Sequence, residues 1–283
     1  ALLPYLAPSF ENVTWSTWLA LMVPYCVLFL LIATLVACSV INWFNTSVRY
    51  SDILPIRASS YILSLVNEQV SKGAIGLYLH RSNGIPGWQV ASSMLFIMVC
   101  EVYYLALWGS VGVALGRDVL PETFHWIPWI LAGLALVFAL AVPWFHGAIP
   151  YLQRLRGRQL FHSFRQARLR HYAALIAMRT PALLVAIVVY KQAAGLFGVE
   201  IGYLEMLGIL PVIFFGAASP LPMRSVAIVL WVTLFPDHAG EMAAFGLVQH
   251  NFFIFFNAAI GLCFLRRANR ELFARDAAAT PSR

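Results

Sequence analysis

Long apolar runs separated by short polar connectors dominate the chain. Five of them, Trp18–Ile41, Ala91–Gly116, Trp126–Phe145, Tyr172–Ala194 and Met242–Leu265, are long enough to cross a bilayer. A helix rises about 1.5 Å per residue and a hydrocarbon core is about 30 Å thick, so roughly 20 residues make one span. Two stretches depart from this pattern. Tyr203–Pro236 holds two apolar runs, Tyr203–Ala218 and Met223–Phe235, split by Ser219, Pro220, Leu221 and Pro222. Each run is short for a span, which predicts a re-entrant hairpin or a broken helix. Such a break frees backbone N–H and C=O groups, and these are tolerated at membrane depth only inside protein or beside a polar cavity. Ile53–His80 is less apolar and carries Arg57, Asn67, Glu68, Gln69 and Lys72. A charge at the centre of a lipid-facing helix costs about 2.5–3.5 kcal/mol. This stretch is therefore predicted to be a second re-entrant or cavity-lining element.

Composition agrees with a membrane protein: 61% of the 283 residues are hydrophobic and 11% are charged. Soluble domains are nearer half apolar and a quarter charged. The fold class is all-α, a polytopic helical membrane protein with about five full spans and two re-entrant or broken-helix elements. The four cysteines, Cys26, Cys38, Cys100 and Cys263, lie in apolar runs without paired spacing and read as packing residues.

The distribution of charge sets an orientation. Fifteen of the 19 Lys and Arg fall in the 42–90 connectors, the linker Tyr151–Arg170 and the tail after Leu265. The opposite loops carry Asp118, Glu122, Glu200, Asp237 and Glu241. By the positive-inside rule the linker and the C-terminus are cytoplasmic and the N-terminus is outside. The linker interleaves Leu152, Leu155, Phe161 and Phe164 with six arginines, which predicts an amphipathic helix on the membrane surface. Its charge signals orientation and attraction to anionic lipid, so no nucleic-acid partner is expected.

Organisation follows from the order of the runs. Residues 18–116 read span, polar element, span, and 172–265 repeat that order. The span 126–145 and the basic linker 151–171 lie between them, so the second copy is inverted. An inverted-topology repeat within a single membrane domain, 1–283, is expected, with the two breaks meeting near the midplane.

The residues around the second break carry a resemblance. Pro211, Gly216, Ala217, Ala218 and Ser219, then Arg224 before Val226-Ala227, are similar to the transmembrane flippase region of the lysylphosphatidylglycerol synthase family. Asn67-Glu68-Gln69, Lys72, Tyr78-Leu79 and Glu101 stand where that family has its first polar element and the following span. Two positions depart from the family pattern: Ser-Pro-Leu-Pro replaces a glycine-rich turn, and Ser225 stands where a glutamate is expected. The resemblance implies a lipid flippase of the bacterial inner membrane, with an anionic lipid headgroup as its partner.

On that reading the candidate substrate-binding residues are Arg224, Lys72, Glu68, Glu101 and Ser219. Arg224, beside the break, is a phosphate clamp helped by a helix N-terminus, a structural arginine satisfying freed carbonyls, or an arginine snorkelling to the outer interface. Glu68 and Lys72, four apart on one helical face, bind and tune a headgroup, neutralise each other to permit burial, or lie on an exposed cytoplasmic helix. Glu101 is either a proton-coupling carboxyl or a neutral acid holding neighbouring helices. Arg179, Lys191 and Glu205 sit nearer span ends, where snorkelling accounts for them. Gly112-x-x-x-Gly116 and Gly198-x-x-x-Gly202 permit close helix contact. The sequence lacks phosphate-loop, zinc-protease, nucleophile-elbow and Cys-x-x-Cys motifs, and its histidines are scattered, so no cofactor, metal or catalytic residue is expected. Two other functions stay open: a non-transporting accessory subunit with protein partners in a membrane complex, which fits the altered motif, and an intramembrane lipid-modifying enzyme.

Overall fold

A computed structural model describes residues 10, 13–64, 68–148, 153–218 and 226–278. All of the regular structure among the described residues is helical. The chain is an integral membrane protein, with five helices among the described residues long and apolar enough to span a bilayer. They are α1 (Trp15–Phe44), α4 (Gly87–Leu115), α5 (Ile127–His146), α8 (Leu169–Gly195) and α11 (Ala239–Ala278). Each begins or ends within a few residues of the predicted span, apart from the far end of α11. That helix continues through Arg266 and Arg267 into the stretch expected to be a polar tail. The sequence there, Arg-Arg-Ala-Asn-Arg-Glu-Leu-Phe-Ala-Arg, is rich in good helix formers and free of glycine and proline.

The less apolar stretch forms two helices, α2 (Tyr50–Ser64) and α3 (Glu68–Asn83), which pack against each other. The basic linker does not form the expected amphipathic helix. It breaks into α6 (Gln153–Arg156), a 3-10 turn at Gln159–Phe161 and α7 (His162–Gln166). The interruption falls at Gly157, a poor helix former, and arginines close the freed carbonyls. Arg165 donates to the carbonyls of Arg156 and Arg158, and Arg156 to that of Trp144. After the linker and α8, the Tyr203–Pro236 stretch forms α9 (Tyr203–Ala218) and α10 (Val226–Leu234), also packed on each other. Neither hairpin has an arm of span length.

The chain divides into two compact units. Unit 1 comprises Ala1–Leu28, Glu101–Phe138 and Thr180–Phe253; unit 2 comprises Phe29–Cys100, Ala139–Arg179 and Ile254–Arg283. Each long helix contributes a segment to both. The hairpin α2–α3 belongs wholly to unit 2 and α9–α10 wholly to unit 1.

In unit 2, α2 presents two stripes. Leu54, Ala58 and Tyr61 pack on Leu30, Ile260 and Phe264, while Ile53 and Ile56 join Ile41, Ile75 and Leu79. Helix α11 comes close through Gly261, where a Cβ would stand 2.6 Å from the Ala58 carbonyl oxygen. The linker is pinned from inside: Phe164 and Ala167 enter a core with Phe44 and Phe96. Ser93 Oγ donates to Asn45 Oδ1 (2.5 Å), and the Ser163 N–H donates to Ser92 Oγ (2.9 Å).

In unit 1, α4 crosses α9 at two glycines. A Cβ on Gly112 would lie 2.5 Å from the Cα of Gly208, so only glycine permits that crossing. Gly116 lies along the same contact, beside Leu204. The other spaced glycine pair acts differently: Gly198 sits in the connector after α8, with φ of +85°. Helix α10 packs through Trp231, which is 2% exposed and meets Phe245 edge-on at 5.3 Å.

Candidate functional site

Of the five candidate substrate-binding residues, Glu101 is the one whose side chain is described. It lies on α4, partly buried, next to the buried Cys100, and it is engaged by neighbouring groups rather than free. Glu68 and Lys72 both fall on α3, four apart, but their side chains lie outside the described residues. Arg224 and Ser219 lie between α9 and α10, also outside the described residues.

The charged residues assigned to span ends behave in two ways. Lys191 reaches the Tyr203 ring at 4.9 Å, and Glu205 accepts the Gly202 N–H at 3.2 Å, which caps the start of α9. Both are end-of-helix roles. Arg179 differs from the snorkelling expectation. It lies ten residues into α8, partly buried with its Nε shielded, and within electrostatic reach of Cys100 on α4.

Two polar clusters that sequence reasoning missed are well described. In unit 1, Tyr25 of α1 and Tyr190 of α8 meet edge-on at 5.7 Å and are hydrogen bonded, and the Tyr190 hydroxyl is directed at Gln249 of α11. Gln249 is 3% exposed, and neither of its amide atoms closes a hydrogen bond of ordinary geometry. Phe214, Phe245 and Phe253 surround this group. Buried amides are normally satisfied, so an intramembrane glutamine held this way stands out. The sequence signal was present, a glutamine and two tyrosines within apolar runs, but it does not reveal that three helices bring them together.

In unit 2 the cluster centres on Arg57, which the sequence flagged as polar without giving it a role. Its guanidinium stands 5.2 Å from the centroid of the Tyr61 ring, and its Nε is buried without a hydrogen bond. A cation–π contact is worth about 0.5–1 kcal/mol at exposed sites and about 2 when desolvated. Placing an arginine at membrane depth costs about 2.5–3.5 kcal/mol. At that depth the ring would offset part of the cost. Among the described residues no carboxylate pairs with Arg57.

A shallow depression of about 420 Å³ lies at the start of α5, lined by Glu122, Thr123, His125, Trp126 and Trp129. It is a surface feature of the interfacial tryptophans, not an enclosed cavity. Among the described residues, no three His, Cys, Asp or Glu side chains come together as a metal site would require.

No protein-family model, curated protein or solved structure matches the chain. The flippase resemblance accordingly rests on the residues that carry it.

Proposed function

We propose that the protein is a flippase-like transporter. It would pass the polar headgroup of a phospholipid, polyprenyl-phosphate or related amphiphile between leaflets while the apolar tail stays in lipid. The observation that carries this reading is the pair of helical hairpins, α2–α3 and α9–α10, whose arms are too short to cross. One carries Arg57, Glu68 and Lys72; the other flanks the connector that holds Ser219 and Arg224. Short paired helices with polar groups at or beside their breaks are how transporters build a substrate path through apolar surroundings. Arg224 and Lys72 hold the headgroup, Ser219 contributes a hydroxyl at the break, and Glu68 and Glu101 supply polarity or proton coupling. By the positive-inside rule the linker and α11 arginines would face the cytoplasm and the N-terminus the outside, and the family resemblance implies a bacterial inner membrane.

Leaflet exchange of a labelled phospholipid in proteoliposomes tests the proposal. The wild-type protein accelerates exchange and Arg224→Ala abolishes it. Exchange at the rate of protein-free vesicles would overturn the transport reading, and unchanged exchange in Arg224→Ala would remove Arg224 from the path.

A second reading, an accessory subunit of a membrane complex, is favoured by one observation: α5 has no buried residue along its 20 residues. Trp129, Ile130, Leu136 and Val137 are all more than half exposed. Purification from native membranes in mild detergent separates the readings, since a subunit carries stoichiometric partners and a stand-alone transporter does not.

A further inference from the structure

We infer that Arg57 is a binding residue for a phosphate-bearing anion, an assignment that rests on reading α2–α3 as a membrane-embedded hairpin of a lipid-handling protein. Arg57 is the central residue of the 15-residue α2. At about 100° per residue, Leu54, Ala58 and Tyr61 fall on one stripe of that helix, and Ile53 and Ile56 on another. Both stripes are buried or nearly so, and Arg57 projects from the seam between them, well away from the exposed Leu63. It is thus an inward-facing charge, unlike an arginine that reaches along its stem for the interface.

The surroundings say which chemistry it serves. The Tyr61 ring covers the guanidinium with a quadrupole, not a charge, and the Nε–H donates to nothing. The two serine hydroxyls nearby are engaged elsewhere: Ser59 Oγ donates to the Gly261 carbonyl, and Ser60 Oγ to the carbonyl of Arg57 itself. Among the described residues, what is unmet is an acceptor for the Nε–H edge of a planar fork of N–H groups. A phosphate presents paired oxygens at that spacing and a compensating charge. The arginine lies in the arm of the hairpin that packs against α11, so the anion would stand against rigid helix rather than on a connector. The same chemistry belongs to a phospholipid headgroup and to free phosphate.

The test uses the purified full-length protein in a phosphate-free buffer and a neutral detergent. Thermal stability and native mass spectrometry are read with phosphatidylglycerol, with a galactolipid of matched chains that lacks phosphate, and with inorganic phosphate. The expected result is stabilisation and adduct retention with phosphatidylglycerol over the galactolipid, and a roughly tenfold weaker preference in Arg57→Gln. Arg57→Lys, which keeps the charge but not the fork, retains part of it and serves as the reporter should Arg57→Gln not fold. Stabilisation by phosphatidylglycerol but not by inorganic phosphate identifies a lipid headgroup; stabilisation by both identifies a phosphate site open to soluble anions. A wild-type protein indifferent to phosphate, or a folded Arg57→Gln with wild-type preference, overturns the assignment. Phosphate preference without leaflet exchange would sink the transport reading and leave the Arg57 site standing. Exchange without the preference would do the reverse.

Discussion

The two short hairpins are built to the same length scale but from opposite materials. In α9–α10 the described charge is confined to Glu205 at the first turn, where it caps the helix, and the rest is apolar. Its polarity is concentrated in the connector that holds Ser219 and Arg224. In α2–α3 the charges lie within the helices themselves, with Arg57 at the centre of one arm and Glu68 and Lys72 in the other. Both hairpins nonetheless pack against a glycine of a long helix: Gly112 of α4 beneath Gly208 of α9, and Gly261 of α11 beneath the Ala58 carbonyl of α2. Membrane helices gain little from burying apolar surface against one another, because lipid is equally apolar. Close backbone approach must therefore supply the packing. The comparison separates two jobs: glycine crossings hold the hairpins in place, and the polar residues are left to do something else.

The largest effect should come from blocking those crossings. Gly112→Leu would drive a side chain into three backbone atoms of α9, none of which can rotate away, so loss of folded protein by size-exclusion chromatography is expected. Gly261→Leu meets one carbonyl and the movable Ile62 side chain, so it should fold with a stability deficit of about 1–3 kcal/mol. Equal damage from both would break the idea that the unit 1 crossing is the tighter. Next is Trp231→Ala, which empties the aromatic core beneath α10 and should cost about 3 kcal/mol in detergent denaturation. A cost under about 1 kcal/mol would mean that α10 is not held by its packing. The smallest effect is expected at the polar centre of unit 1. Gln249→Leu removes an amide whose buried atoms make no bond of ordinary geometry, so stability should stay level or rise by about 1 kcal/mol. Marked destabilisation would show that the Tyr190 contact is a structural necessity. It would then place Gln249 with the glycines rather than with Arg57.

Much of the architecture was legible in the sequence because membrane helices announce themselves. Each long helix must satisfy its own backbone hydrogen bonds in lipid and present apolar side chains to it, so length and hydropathy alone locate it. The two departures from span pattern were legible too, Tyr203–Pro236 because its runs are short and Ile53–His80 because it carries charges that a lipid-facing helix would not. Among the candidate residues, the sequence singled out Glu101 and the flanks of both breaks; Glu101 is partly buried and engaged. The linker shows where pattern reading stops. Its alternating arginines and aromatics look amphipathic, yet Gly157 interrupts the helix and the aromatics Phe161 and Phe164 pack into or against a core.

The sequence by itself determined that the chain is helical and membrane-embedded, how many spans it has and where its hairpins fall. Those properties depend on local length and polarity, which every residue carries with it. Only the tertiary structure decided which polar groups meet. Tyr25, Tyr190 and Gln249 are 165 and 59 residues apart along the chain and come together because three helices converge. The seam that turns Arg57 inward is likewise made by α1, α3 and α4 on one side and by α1 and α11 on the other. Such convergence is set by helix crossings, and those depend on a few glycine contacts whose partners lie far away in sequence.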